Sequence, residues 1–132
     1  MKYQLAALAA AFVLAGCEQA RQVRQLTPEQ QEMVKNYLAE RRAMFIASMQ
    51  ENVTGMDRKL AELSDAIAML EDNAVADNNL EAVRELRSRF DLLFDNLTKA
   101  DAESWDGAKR ALEWAWRDLR MAYQLVKDLY DS

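Results

Sequence analysis

Val53, Met56, Leu60, Leu63, Ile67 and Leu70 follow one another at intervals of 3, 4, 3, 4 and 3 residues. Val83, Leu86, Phe90, Leu93 and Leu97 repeat the rule. So do Trp105, Ala108, Leu112, Ala115, Leu119, Ala122, Val126 and Leu129. A 3–4 alternation keeps apolar side chains on one line of an α-helix, where another helix must cover them. Three such seams in 132 residues predict an all-α chain of helices packed along their length.

The polar residues between the seams predict where the chain turns. Asn73 to Asn79 interrupts the first and second seams, and Asp72, Asn73, Asp77, Asn78 and Asn79 favour turns and caps by hydrogen bonding to nearby backbone. Asn78 with Glu81 offers a capping box there. A connection this short joins antiparallel neighbours. With the turn at Ala74–Ala76, Ile67 pairs with Val83, Leu60 with Phe90 and Val53 with Leu97. Phe45 and Ile46 then meet Trp105, and Leu38 meets Leu112. The frame slips again across Thr98–Ser104, where Thr98 or Asp101 can cap a new helix. The expected architecture is a long antiparallel helical hairpin or coiled coil, its second arm kinked or broken near 98–104. A three-helix bundle folded back at that point is the alternative.

Upstream, Thr27-Pro28-Glu29-Gln30 announces a helix start: Thr27 caps, Pro28 suits the first helical position, and Gln30 completes the box. Val34, Leu38, Phe45 and Met49 continue an apolar stripe, but Arg41 and Arg42 fall where the seam passes. Either they are solvated or they pair with carboxylates such as Glu113 or Asp106. Gly55 is a weak point within the first helix.

The first residues have a different character. Lys2 precedes an apolar run from Leu5 to Ala15, and Leu14-Ala15-Gly16-Cys17 ends it. A charged start, an apolar stretch of about 7–15 residues and small residues at the cut make a secretory signal. The run is too short for the roughly 20 residues that span a bilayer. The four residues resemble the lipobox of bacterial lipoproteins, which implies cleavage after Gly16 and lipidation of Cys17. More than one acyl chain would then anchor the protein stably. Residue 18 is Glu rather than the Asp that resembles an inner-membrane retention signal, so the resemblance implies the outer membrane, facing the periplasm. The expected organisation is a signal peptide over 1–16, a lipidated cysteine and polar tether over 17–26, and a helical hairpin domain over 27–132.

A second resemblance lies in the other half. Leu86-Arg87 through Leu97, Ser104-Trp105-Asp106, Ala115-Trp116-Arg117-Asp118-Leu119 and Ala122-Tyr123 resemble a group of small bacterial coiled-coil stress-response proteins without a defined activity. The resemblance runs from about Asp57 to Asp128. It implies a helical hairpin, a role in envelope stress and no catalysis. Trp114 and Met121 depart from the charge-rich pattern of that group.

Composition narrows the function classes. The chain carries a formal charge of −5 and no histidine. An acidic chain without a basic patch is a poor nucleic-acid binder. Without histidine there is no Ser-His or Cys-His nucleophile and no Glu-x-x-His di-iron pair. Cys17 is the only cysteine, so packing rather than a disulfide must hold the fold. No enzyme activity, cofactor or metal is expected. Copper(I) held by methionines, with Met49 and Met56 seven residues apart, is a minor alternative, as is a small apolar ligand between Phe45 and Trp105.

The last seam has more apolar surface than one neighbour can bury. Trp116, Tyr123 and Tyr130 recur every seven residues, and Trp114 and Met121 form another row. With Trp105 these are the candidate interaction surface, for a protein partner or a second copy. The function expected is non-enzymatic: helix-to-helix contact by an envelope protein tethered to the membrane at Cys17.

Overall fold

A computed structural model describes residues 25–130. The expected signal peptide, Cys17 and most of the expected tether lie outside the described residues. Three α-helices and no strand form among the described residues: α1 (Pro28–Ala68), α2 (Ala74–Thr98) and α3 (Trp105–Tyr130). None of them is long and apolar enough to cross a membrane. The chain divides into two units, Met1–Met44 and Phe45–Ser132, with the division falling inside α1.

In the first unit, the start of α1 is built as expected. The Gln30 backbone N–H donates to Thr27 Oγ1 at 3.1 Å, and the Thr27 N–H donates to Gln30 Oε1 at 3.0 Å. Two donors that the helix itself cannot satisfy are thereby paired. Pro28, which has no N–H to lose, stands between them at the first helical position. Met33, Tyr37, Leu38 and Met44 are exposed, and the Arg41 guanidinium lies 5.8 Å from the centre of the Tyr37 ring.

In the second unit, the seams become the core. Met56, Leu60, Leu63 and Ile67 from α1, Val83, Phe90 and Leu97 from α2, and Leu112, Ala115, Leu119 and Val126 from α3 are all buried. Fully burying a side chain of this kind contributes roughly 1.5–3 kcal/mol. Exposed ion pairs contribute about 0.2–1 kcal/mol each, so packing dominates this fold.

The first turn falls earlier than the polar run suggests. It occupies residues 69–73, and α2 begins at Ala74. Ala76, Leu80 and Val83 lie 4 and 3 residues apart and are buried, so apolar burial draws Ala74–Asn79 into the helix. Asn73 precedes α2 without a side-chain capping bond, and Asn78 lies inside the helix rather than at its cap. The antiparallel hairpin of α1 and α2 is present. Arg87 on α2 makes a bidentate pair with Asp57 on α1, at 2.6 and 3.0 Å, and also pairs with Asp91 one turn along. Arg84 donates to Ser64 Oγ at 3.1 Å.

The second break is where the arrangement is decided. Asp101 caps α3: its carboxylate accepts the Ser104 N–H at 2.9 Å, while Ser104 Oγ accepts the Asp101 N–H at 3.1 Å. The Trp105 N–H then reaches the Asp101 carbonyl at 3.0 Å as a first helical bond. Beyond this box the chain folds back. Trp116 meets Phe90 edge to face at 6.0 Å, and Asn79 donates to the Tyr130 hydroxyl at 2.9 Å. Residues early in α3 therefore lie beside residues late in α2, and the reverse, so the two helices are antiparallel. Contacts of α3 with α1 run in step, Phe45 with Trp105 and Lys59 with Tyr123, so those two are parallel. Of the two arrangements the sequence left open beyond residue 98, the unit takes the folded-back, three-helix one. The expected contact of Phe45 with Trp105 is made. Leu112 is buried in the core of this unit, one turn before Trp116.

Gly55 has a negative φ, and no heavy atom lies within 4 Å of where a Cβ would stand. Gly55→Ala should therefore stabilise the protein by about 0.5–1 kcal/mol, read as a rise in Tm by thermal circular dichroism. Asp101 makes a second expectation. Its hydrogen bonds from Ser104 hold the carboxyl below its ordinary value. Its contribution is thus fully present above that ordinary value, near pH 4, and is lost as pH falls through the lowered one. Asp101→Ala should lower Tm at neutral pH and remove this part of the acid-induced loss, as a comparison of the two acid titrations will show.

Candidate interaction surface

Helix α3 has an apolar face toward the core and a second one away from it. The core face carries Trp105, Leu112, Ala115, Leu119, Tyr123 and Val126, all buried. On the other side, Trp114, Met121, Leu125 and Leu129 are 54, 52, 66 and 65 % exposed. Steps of 7 and 4 residues place Trp114, Met121 and Leu125 within about 20° of a single line along the helix, with Leu129 at its edge. Large apolar side chains clustered on a surface mark a contact site more often than scattered ones do.

This divides the six residues expected to form an interaction surface. Trp114 and Met121 are on the outer face. Trp105 and Tyr123 are not available to a partner: both are buried, Trp105 against the Phe45 ring at 6.3 Å and Tyr123 beneath Lys59, whose Nζ is 6.0 Å from the ring centre. Trp116 and Tyr130 are half-buried; one packs on Phe90 and the other accepts the bond from Asn79. The reason is the fold-back. In a two-arm hairpin, α3 has one neighbour and its aromatic row stays open. Between α1 and α2 it has two, and the row becomes core. Leu125 and Leu129 belong to the outer face, Leu129 despite its place in the 3–4 seam. The spacing of Leu125 from Trp114, 11 residues or about three turns, is the signal that identifies it. Leu129 is displaced from the core by Tyr130, which closes the end of α3 on Asn79.

The outer face has a polar border. The Arg117 guanidinium lies 4.8 Å from the centre of the Trp114 ring, close enough for cation–π attraction and for its stem to cover apolar surface. Arg110 and Asp128 are exposed along the same flank, and Gln124 donates to Asp128 Oδ1 at 2.8 Å. Asp118 stands on the opposite flank, also exposed.

The remaining candidates read as structure. Met49 and Met56 are buried in the core, where unbranched thioethers fill irregular gaps. The Phe45 and Trp105 rings meet each other edge to face, and Lys109 Nζ lies 5.0 Å from the Phe45 ring, so the space proposed for an apolar ligand is bordered by rings in mutual contact. Arg87 is held by two carboxylates, Asp57 and Asp91. Its hydrogen bonds to Asp57, opposed by burial and reinforced by those to Asp91, push the guanidinium further above its ordinary range. That pins the α1–α2 hairpin and keeps the charge fixed. Among the described residues no group of three or more acidic, histidine or cysteine side chains is placed to hold a metal ion. No protein-family model, curated protein or solved structure matches this chain.

The two faces of α3 should separate cleanly in mutants. Trp114→Ser and Met121→Ser should change the stability of the single chain, measured at high dilution, by no more than about 0.5 kcal/mol, as surface changes do. Trp116→Ala and Tyr123→Ala should each cost roughly 2–5 kcal/mol, because they open the packed side. Urea unfolding followed by circular dichroism measures both sets. Equal losses in the two sets would mean that Trp114 and Met121 are not on an outer face.

Proposed function

We propose that this protein is a non-enzymatic envelope lipoprotein that works by helix-to-helix contact, with the outer face of α3 as its contact surface. The observation that carries the reading is the exposed row of Trp114, Met121 and Leu125 on a helix whose opposite face already fills the core. Aromatic residues, Met and Arg are enriched in the centres of protein interfaces, and this row with Arg117 has that composition. The lipobox-like Leu14-Ala15-Gly16-Cys17 supports a lipid anchor at Cys17. Glu18 supports the outer membrane, with the bundle held in the periplasm by the tether. The resemblance of the second half to small coiled-coil stress proteins supports a role when the envelope is perturbed. Anchoring serves a contact protein directly: confinement near one membrane raises the effective concentration of anything else that is confined there.

Two measurements test the reading. Cys17→Ser should abolish acyl labelling and move the protein from the membrane fraction to the soluble periplasmic fraction. Photo-crosslinking groups placed at 114 and 121 of the lipidated protein in intact cells should give discrete protein adducts identifiable by mass spectrometry. A group at exposed Glu85 on α2 should not. Adducts from Glu85 alone, or none from 114 and 121, would remove α3 as the contact surface.

A further inference from the structure

The outer face of α3 is complementary to itself when a second copy is laid on it in the opposite direction. Arg110 and Asp128 are 18 residues apart, which at 3.6 residues per turn is about five turns. They therefore lie on the same line of the helix, at one flank of the apolar row, and both are exposed. Their midpoint is at the height of Leu119. Trp114 and Leu125 are 11 residues apart, about three turns, and their midpoint falls between Leu119 and Arg120. The charged pair and the apolar pair thus have nearly the same centre.

We infer that the partner of this face is a second copy of the chain, docked by antiparallel α3 helices around a twofold axis at the height of Leu119. This rests on the proposed contact role of the outer face and names its occupant. A twofold axis perpendicular to both helices exchanges heights but keeps each flank on its own side. Arg110 of one copy then faces Asp128 of the other, twice by symmetry, and Trp114 of one copy packs against Leu125 of the other. Met121 comes close to Met121 across the axis. Such an interface is closed and self-complementary, the commonest form for a homodimer. A parallel pair, with its twofold axis along the helices, carries the two Arg110–Asp128 flanks to opposite sides of the seam, so Arg110 and Asp128 would not meet. Asp118 then lies near Asp118 of the other copy and Arg117 near Arg117; all are exposed at the rim, where water and salt screen them.

Disulfide trapping of the lipidated full-length protein in cells tests the geometry. Met121→Cys should give a covalent dimer. Trp114→Cys alone should not, because the two copies' 114 positions lie about 15 Å apart along the axis. Co-expressed Trp114→Cys and Leu125→Cys chains with different tags should cross-link to each other. Adding Arg110→Asp to Met121→Cys should weaken trapping about tenfold, as should Asp128→Arg, and the two together should restore it. The rescue separates an ion pair from misfolding. Trapping of Trp114→Cys with itself would overturn the antiparallel arrangement. No trapping at any position, with foreign adducts from 114 and 121 in the photo-crosslinking experiment, would overturn the second copy as occupant and leave the contact surface standing.

Discussion

Hydrogen bonds between Asp101 and Ser104 set the place where the third helix begins, and with it the partners of every residue that follows. The reciprocal bonds satisfy donors at the α3 N-terminus immediately after Leu97 has been buried at the end of α2. The chain reverses there. A continuous helix through this segment would carry Trp105, Leu112 and Leu119 past the end of α2, with one neighbour at most. Reversal gives them two, and Leu112 and Leu119 lose all contact with solvent. With no cysteine after residue 17, this burial and the α1–α2 seam have no disulfide to share the load.

Polar contacts tune this core rather than create it. Arg87 joins α1 to α2 through Asp57, and Asn79 joins α2 to α3 through Tyr130. Arg87 carries a desolvation cost that its two carboxylates outweigh, and both contacts depend on neighbouring helices being in register. A shift by one turn would separate each pair by about 5 Å.

The same reversal that fills the core produces the exposed row. An α-helix has one circumference, and α3 presents about half of it to α1 and α2. Trp114, Met121 and Leu125 fall on the half that remains. Their apolar character is not required by the fold, since charged residues there would leave the core unchanged. It is this independence from folding that directs attention to contact with another molecule.

The helices, their seams, the Thr27 box and the break after Thr98 were legible in the sequence because they depend on neighbours within a few residues: spacing, capping and turn chemistry. The exact start of α2 was less so. Ala76 and Leu80 are pulled into the helix by burial against distant residues, which outweighs the turn preference of Asn78 and Asn79. Periodicity leaves the fold-back of α3 as one of two alternatives, because a seam of 3 and 4 steps packs equally well against one helix or two. That choice sorted the aromatic residues. Trp105 and Tyr123 became core and Trp114 stayed outside, although all three share helical rows of similar apolarity. Sequence periodicity determines which residues share a face of a helix; which face is covered depends on how many neighbours the chain brings to it, and only the tertiary structure decides that.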